Sequence, residues 1–156
     1  MSYKINGTVK ISGDKSIAHR ALILASHFRG EHTIKNFPKN DDVMSTLSIF
    51  KNYGLESNFQ KDILILNSNN ISFYNQTVNC YDSGTSARLL CGYLSGLNIA
   101  TKMIGSVNLS IRPMDRVTEP LNSFGASISC VNGHLPISIH QSEQLNNFNF
   151  NLKISS

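Results

Sequence analysis

"HRALILASHFRGEHTIKNF" at 19–37 and "DDVMSTLSIFKNYG" at 41–54 return in outline as "ARLLCGYLSGLNIATKMIG" at 87–105 and "MDRVTEPLNSFG" at 114–125. In each copy an apolar helical run leads into a strand, then a second helical stripe that ends on an aromatic residue and glycine. Arg20 and Arg88 fall at matching places. The period is roughly 70 residues, longer than a usual solenoid unit. Each copy reads as helix, strand, helix, strand, strand. A third copy would open at "FNFNLKISS" (148–156), so the architecture is expected to be a fragment of a larger one.

Around this repeat the individual elements can be placed. Tyr3, Ile5, Val9 and Ile11 have the period-two spacing of a strand over 3–11. Over 16–28, Ile17, Ala21, Leu24 and Phe28 recur at helical spacing, and Ile23 and Ala25 make the helix apolar almost all round, which predicts burial. Asp41 or Asp42 is placed to cap the next helix, Val43, Leu47 and Phe50 form its stripe, and Gly54 fits its stop. "DILILN" (62–67) reads as a strand. In the second copy Ala87, Leu90, Cys91 and Leu94 face inward from one helix, and "IATKMIG" (99–105), "ASISC" (126–130) and "LPISIH" (135–140) are strands. Met114, Val117, Leu121 and Phe124 share one side of the last helix. Proline inside a helix costs ~3 kcal/mol, so one turn at Pro113 and a restart near Pro120 is the expected arrangement.

The 156 residues suit one compact domain or a large part of a bigger one. The formal charge is +4, with no Lys/Arg run and no aromatics interleaved with basic residues. That argues against nucleic acid and fits a small anionic ligand. No apolar run reaches membrane-span length and the N-terminus lacks a signal-peptide centre, so a soluble, cytoplasmic protein is expected. Cys80, Cys91 and Cys130 form an odd set without CxxC spacing, which argues against a disulfide framework or a zinc site. The histidines show no metal-ligand spacing, and His19 is expected to be a packed or hydrogen-bonded surface residue. No metal or cofactor is expected.

Three stretches carry chemistry. "GDKSIAHRALILAS" (13–26) sets Lys15 and Ser16 at a helix start with Arg20 one turn in. A helix start presents unpaired N–H groups and a positive dipole end, so cations there call for an anion between them. In "DSGTSAR" (82–88), Gly84 lets backbone N–H groups approach a ligand, and Ser83, Thr85 and Ser86 add hydroxyls. In "IRPM" (111–114), Arg112 offers a planar fork for phosphate or carboxylate. Taken singly, Lys15 reads as a solvated lysine, Ser16 and Thr85 as caps, Asp82 as a turn residue and Arg112 as an exposed cation. Their order within a repeated architecture points to a shared anion site.

These stretches closely resemble the motifs of the EPSP synthases, the 3-phosphoshikimate 1-carboxyvinyltransferases of aromatic amino-acid (chorismate) biosynthesis: G/P-S/D-K-S-x-x-x-R-A-L, N/D-x-G-T-x-x-R and R-P-M. The resemblance covers nearly the whole chain. It implies an α+β enolpyruvyl transferase fold of repeated βαβαββ units, helices inside and sheets outside, incomplete here. Residues 1–14 would form an opening strand that in the family belongs to the other domain. Residues 15–156 would form the first two units and the start of a third. The implied reaction moves the enolpyruvyl group of phosphoenolpyruvate to shikimate 3-phosphate, with no cofactor and with the remaining half of the enzyme as partner. Lys15 would be catalytic and touch both substrates. Ser16, Arg20 and Ser156 would hold shikimate 3-phosphate, and Asp82, Gly84, Thr85 and Arg112 would hold phosphoenolpyruvate. The family's acid/base carboxylates have no counterpart here, so the chain alone is expected to be inactive. The family's G-D-x-S-L is replaced by "GSVNL", with Ser106 and Asn108.

Two alternatives compete. The related enolpyruvyl transferase acting on UDP-N-acetylglucosamine carries K-N in the first motif and a loop cysteine. Here Ser16 follows Lys15, and no cysteine lies between Cys91 and Arg112. A non-catalytic module that binds a phosphorylated metabolite is the other.

Overall fold

The structure, a computed structural model, describes residues 7–9, 11–143 and 145. A first unit runs α1 (Lys15–His27), β1 (Glu31–Ile34), α2 (Asp41–Asn52), β2 (Glu56–Gln60) and β3 (Ile63–Asn67). A second runs β4 (Gln76–Asn79), α3 (Gly84–Gly96), β5 (Thr101–Ile104), a short α4 (Val107–Ser110), α5 (Asp115–Ser123), β6 (Ser127–Val131) and β7 (His134–His140). The first sheet is antiparallel in the order β1-β3-β2, and the second has the order β4-β5-β7-β6 with β4 parallel to β5. Within the second sheet, β5-β7-β6 copies β1-β3-β2, so the internal repeat is present in the strand order. The expected strand over 3–11 lies mostly outside the described residues, and residues 7–9 and Ile11 form no strand. The third copy at 148–156, with Ser156, also lies outside them.

Sheets lie outside and helices inside, as an α+β fold of this kind requires. Along β3, Leu64 and Leu66 are buried between half-buried neighbours, and along β7, Leu135, Ile137 and Ile139 are buried. Period-two burial means that one face of each sheet packs on the core and the other meets water. Helices α1, α2 and α3 pack on one another, and α3 also packs on α5, β5 and β7. Phe50 on α2 meets Tyr93 on α3 edge-on at 5.9 Å, and Phe73 meets Tyr93 at 5.7 Å. Such pairs add ~0.5–1.5 kcal/mol beyond area burial and join the two units.

Most helices follow their sequence patterns. Val43, Leu47 and Phe50 of α2 and Ala87, Leu90, Cys91 and Leu94 of α3 are buried. The cap of α2 is Asn40, one residue earlier than expected; its side chain accepts from the Val43 N–H at 3.1 Å. Asp41 and Asp42 instead occupy the first turn, where the helix dipole favours them.

In α1 the expected stripe is on the wrong side. Ile17, Leu24 and Phe28 are 64%, 57% and 60% exposed, while Ala18, His19, Leu22, Ala25 and Ser26 are buried. A helix apolar all round gives its periodicity no preferred direction. Packing selects the face whose small residues, Ala18, Ala25 and Ser26, let α2 and α3 come close. His19 belongs to that face and is fully buried, not a surface residue.

Helix α5 also differs from expectation, running unbroken through Pro120. The Pro120 carbonyl accepts from the Phe124 N–H at 3.1 Å. Asn122 then pins the helix end to Ile128 by two bonds of 2.9 Å. Strands β2 (ESNFQ) and β4 (QTVN) carry one apolar residue each, which leaves no alternation to detect.

The corrected α1 face gives a direct comparison. Leu22→Ala should lower stability in urea unfolding by ~2–5 kcal/mol. Leu24→Ala should stay within ~0.5 kcal/mol of the parent.

Candidate functional site

The start of α1 is ordered by Asp14, whose carboxylate accepts from the Ile17 N–H at 2.7 Å. Lys15 projects from the first turn and pairs with Asp42 on α2 at 2.6 Å. Both side chains remain partly solvated, at 48% and 31% exposure. Such a pair is worth at most ~1 kcal/mol, so an incoming anion can compete for the ammonium. Ser16 and Arg20 lie one turn apart on the exposed face, and Arg20 has no partner among the described residues.

The start of α3 is built from the second motif. Ser83 caps it by accepting from the Ser86 N–H at 3.1 Å. Gly84 follows, beneath two guanidinium groups: a Cβ there would lie 2.6 Å from Arg88 Nη1 and 3.4 Å from Arg112 Nη1. The missing side chain leaves the space that the Arg88 guanidinium occupies over the backbone. Arg88 donates to the Gly84 carbonyl at 3.1 Å and to the Pro113 carbonyl at 2.9 Å, which joins the second motif to the third. The Arg88 pKa is lowered by burial first, then by the charges of Arg112 and Arg116. Positive charge is therefore concentrated around Gly84, and no ion pair to a carboxylate relieves it among the described residues.

A serine supplies the local bonding where the family pattern has aspartate. Ser106 donates to Asp82 at 2.6 Å and accepts from the Leu109 N–H at 3.0 Å, capping α4. It thereby fixes the Asp82–Gly84 turn against the loop that carries Arg112.

All three motifs come to one end of the helix layer. Lys15 reaches Asp42 at the start of α2, and the Ser86 hydroxyl at the start of α3 lies 3.4 Å from the Asp42 carbonyl. Three positive helix ends therefore converge, and their fields add. A neighbouring cleft of about 550 Å³ is lined by Asp41, Asp42, Tyr81 and Asp82 among others, with no arginine or lysine among the described residues. Its carboxylates disfavour anions, whereas Arg88 and Arg112 gather positive charge over Gly84. Sequence reading did not foresee Asp42 as the partner of Lys15, because a contact between helices 27 residues apart leaves no local signal. Arg88 stands in the sequence as the last residue of "DSGTSAR" and as the repeat counterpart of Arg20, and neither place reveals its bonds to the Gly84 and Pro113 carbonyls.

No group of three or more His, Cys, Asp or Glu able to hold a metal occurs among the described residues. None of the described helices is long and apolar enough to cross a membrane.

A repeated helix-strand-helix-strand-strand order with helices packed on one another and on the sheets defines the class of architecture. The comparisons with known proteins agree. The profile of EPSP synthase (3-phosphoshikimate 1-carboxyvinyltransferase) matches residues 1–156. A 3-phosphoshikimate 1-carboxyvinyltransferase of Clostridium tetani is 34% identical, over 98% of this chain and 36% of its own length. One from Streptococcus pyogenes is 38% identical, over 97% of this chain and 36% of its own. The EPSP synthase structure from Acinetobacter baumannii superposes with a TM-score of 0.87 at 29% identity, covering 96% of this chain and 35% of that one. The chain belongs to the EPSP synthase family, and it spans about 36% of the length of the relatives it matches.

Ser106→Ala removes both the bond to Asp82 and the cap of α4. It should cost ~1–2 kcal/mol in urea unfolding, and Ser106→Thr should restore most of it.

Proposed function

We propose that this chain supplies part of the substrate site of a 3-phosphoshikimate 1-carboxyvinyltransferase, which moves the enolpyruvyl group of phosphoenolpyruvate to shikimate 3-phosphate. The observation that carries the reading is the set of cations at the helix starts: Arg88 and Arg112 over Gly84 with no carboxylate partner among the described residues, and Lys15, whose part-solvated pair with Asp42 an anion can displace. Two substrates bearing several negative charges need that field to share one site.

Lys15 touches both substrates in this reading. Ser16 and Arg20 hold shikimate 3-phosphate, together with Ser156, which lies outside the described residues. Gly84 and Arg112 hold phosphoenolpyruvate, and Asp82 and Thr85 shape their loop. The shikimate 5-hydroxyl oxygen bonds to C2 of phosphoenolpyruvate as C3 takes a proton. The tetrahedral intermediate then expels phosphate and returns a proton from C3, which restores the double bond. Fixing both reactants supplies proximity, and the cations offset charge on the departing phosphate.

Proton transfer falls to groups outside the described residues. Asp14 is committed to its cap, Asp42 to Lys15 and Asp82 to Ser106. Asp41 lies exposed in the first turn of α2. The partner in this reading is the rest of a full-length enzyme. Residues 1–14 go with its other domain, and the uncovered Ile17, Leu24 and Phe28 face of α1 receives further chain. A cytoplasmic location fits such an enzyme. Ser16 after Lys15 favours shikimate 3-phosphate over a UDP-sugar.

Calorimetry with shikimate 3-phosphate should detect binding, and Arg20→Ala should weaken it at least about tenfold, the loss of one charged hydrogen bond. A UDP-sugar bound in preference would overturn the reading. Mixed with both substrates, the chain alone should release no phosphate above the uncatalysed rate.

A further inference from the structure

A chain of buried polar side chains runs beneath the candidate site, and the roles proposed above do not use it. His19 sits on the inner face of α1 with no exposed surface. Its Nδ1 lies 2.8 Å from the Thr46 hydroxyl on α2, which lies 2.6 Å from the Ser86 hydroxyl on α3. Ser86 donates onward to the Ser83 hydroxyl oxygen at 2.7 Å. Thr46, Ser83 and Ser86 are equally buried. Isolated polar groups in an apolar layer are costly, whereas a connected chain is tolerated and rigid.

The proton count fixes the direction. Ser86 has one hydroxyl proton and gives it to Ser83, so Thr46 is the donor to Ser86. In that arrangement Thr46 accepts from His19, whose proton then sits on Nδ1, and the Asp42 carbonyl at 3.4 Å is a second, longer acceptor for Ser86. His19 Nε2 is left a bare lone pair, buried and without a partner. Donation thus runs from α1 through α2 to Ser83, the residue that caps α3 just before Gly84 and Thr85.

We propose that His19 is a positioning residue: through Thr46 and Ser86 it fixes the start of α3 relative to α1, and so holds the Ser16–Arg20 and Gly84–Arg112 halves of the site in one geometry. This rests on the reading that the two halves bind the two substrates side by side. The ring is suited to the task because burial, its largest influence, holds its pKa below the ordinary histidine value. Asp42 on α2 opposes that shift and Lys15 on α1 reinforces it. From α3 only the hydroxyls of Ser83 and Ser86 enter the chain. A neutral ring keeps its tautomer at neutral pH.

Two variants separate positioning from bulk stability. Thr46→Val breaks the chain at its middle with little change of shape, and His19→Asn places an amide N–H near the lost Nδ1. In Thr46→Val each substrate alone should bind within about twofold of the parent. Phosphoenolpyruvate titrated into protein saturated with shikimate 3-phosphate should bind about tenfold more weakly, and His19→Asn should largely retain the parental value. Equal losses for single and paired ligands, or no loss at all, would overturn the proposal.

Imidazole nitrogen NMR tests the relay without any ligand. His19 should show a protonated Nδ1 and a bare Nε2 throughout about pH 6–8, around the ordinary histidine pKa of about 6.5. A protonated Nε2 at neutral pH would overturn it. If the parent chain binds neither substrate, the proposed function fails and the nitrogen spectrum still decides the relay. The unfolded chain takes up a proton near pH 6.5 that folded His19 refuses, so stability should fall as pH drops below that value. The fall should be smaller in His19→Asn, and an identical pH dependence would contradict a neutral buried ring.

Discussion

Everything at the candidate site depends on three helices starting at one place. Helix dipoles aligned in this way repel one another at their positive ends, and Lys15, Arg88 and Arg112 add to the repulsion. The fold holds the arrangement from two sides. On the solvent side Lys15 reaches the carboxylate of Asp42. On the core side the hydroxyls of Thr46 and Ser86 bridge α2 and α3. Beneath both, Leu22, Leu47 and Leu90 fill the space between the helices with no exposed surface to speak of. Apolar packing supplies the stability that lets an electrostatically unfavourable cluster persist.

The same constraint accounts for the glycine at the start of α3. Arg88 comes so near the Gly84 backbone that a Cβ there would have to push its guanidinium aside, while Arg112 lies at contact distance beyond it. Arg88 is held by two carbonyls and not by a carboxylate, so its charge is oriented but not cancelled. A carboxylate there would have made a tidier structure and a poorer anion site. Ser106 works in the same way on Asp82: a neutral hydroxyl orders the acid without adding charge of either sign.

Much of this was legible in the sequence because the signals were local. The stripes Val43–Leu47–Phe50 and Ala87–Leu90–Cys91–Leu94 mark their buried faces directly, and the internal repeat announced the matching strand orders. What stayed hidden was decided by tertiary contact. Helix α1 offered apolar residues on every side, and only the close approach of its neighbours selected Ala18, His19, Leu22 and Ala25. Strands β2 and β4 are polar and are held by pairing, to β3 and β5 respectively, so composition alone could not reveal them. At the site the motifs named Lys15, Gly84 and Arg112 and marked Ser106 as a departure, but Asp42 and Thr46 come from elsewhere in the chain. Nothing in their immediate surroundings distinguishes them from ordinary cap or helix residues.

The matching orders β1-β3-β2 and β5-β7-β6 carry a consequence for how such a site arises. Copying a segment of chain copies the polarity of its helices. When the two copies dock side by side in the same sense, their electropositive ends become neighbours without any residue having changed. The surface at those helix starts is then electropositive by construction, before any basic side chain is added. Later substitutions in one copy can specialise for one guest while the other copy adapts to a second.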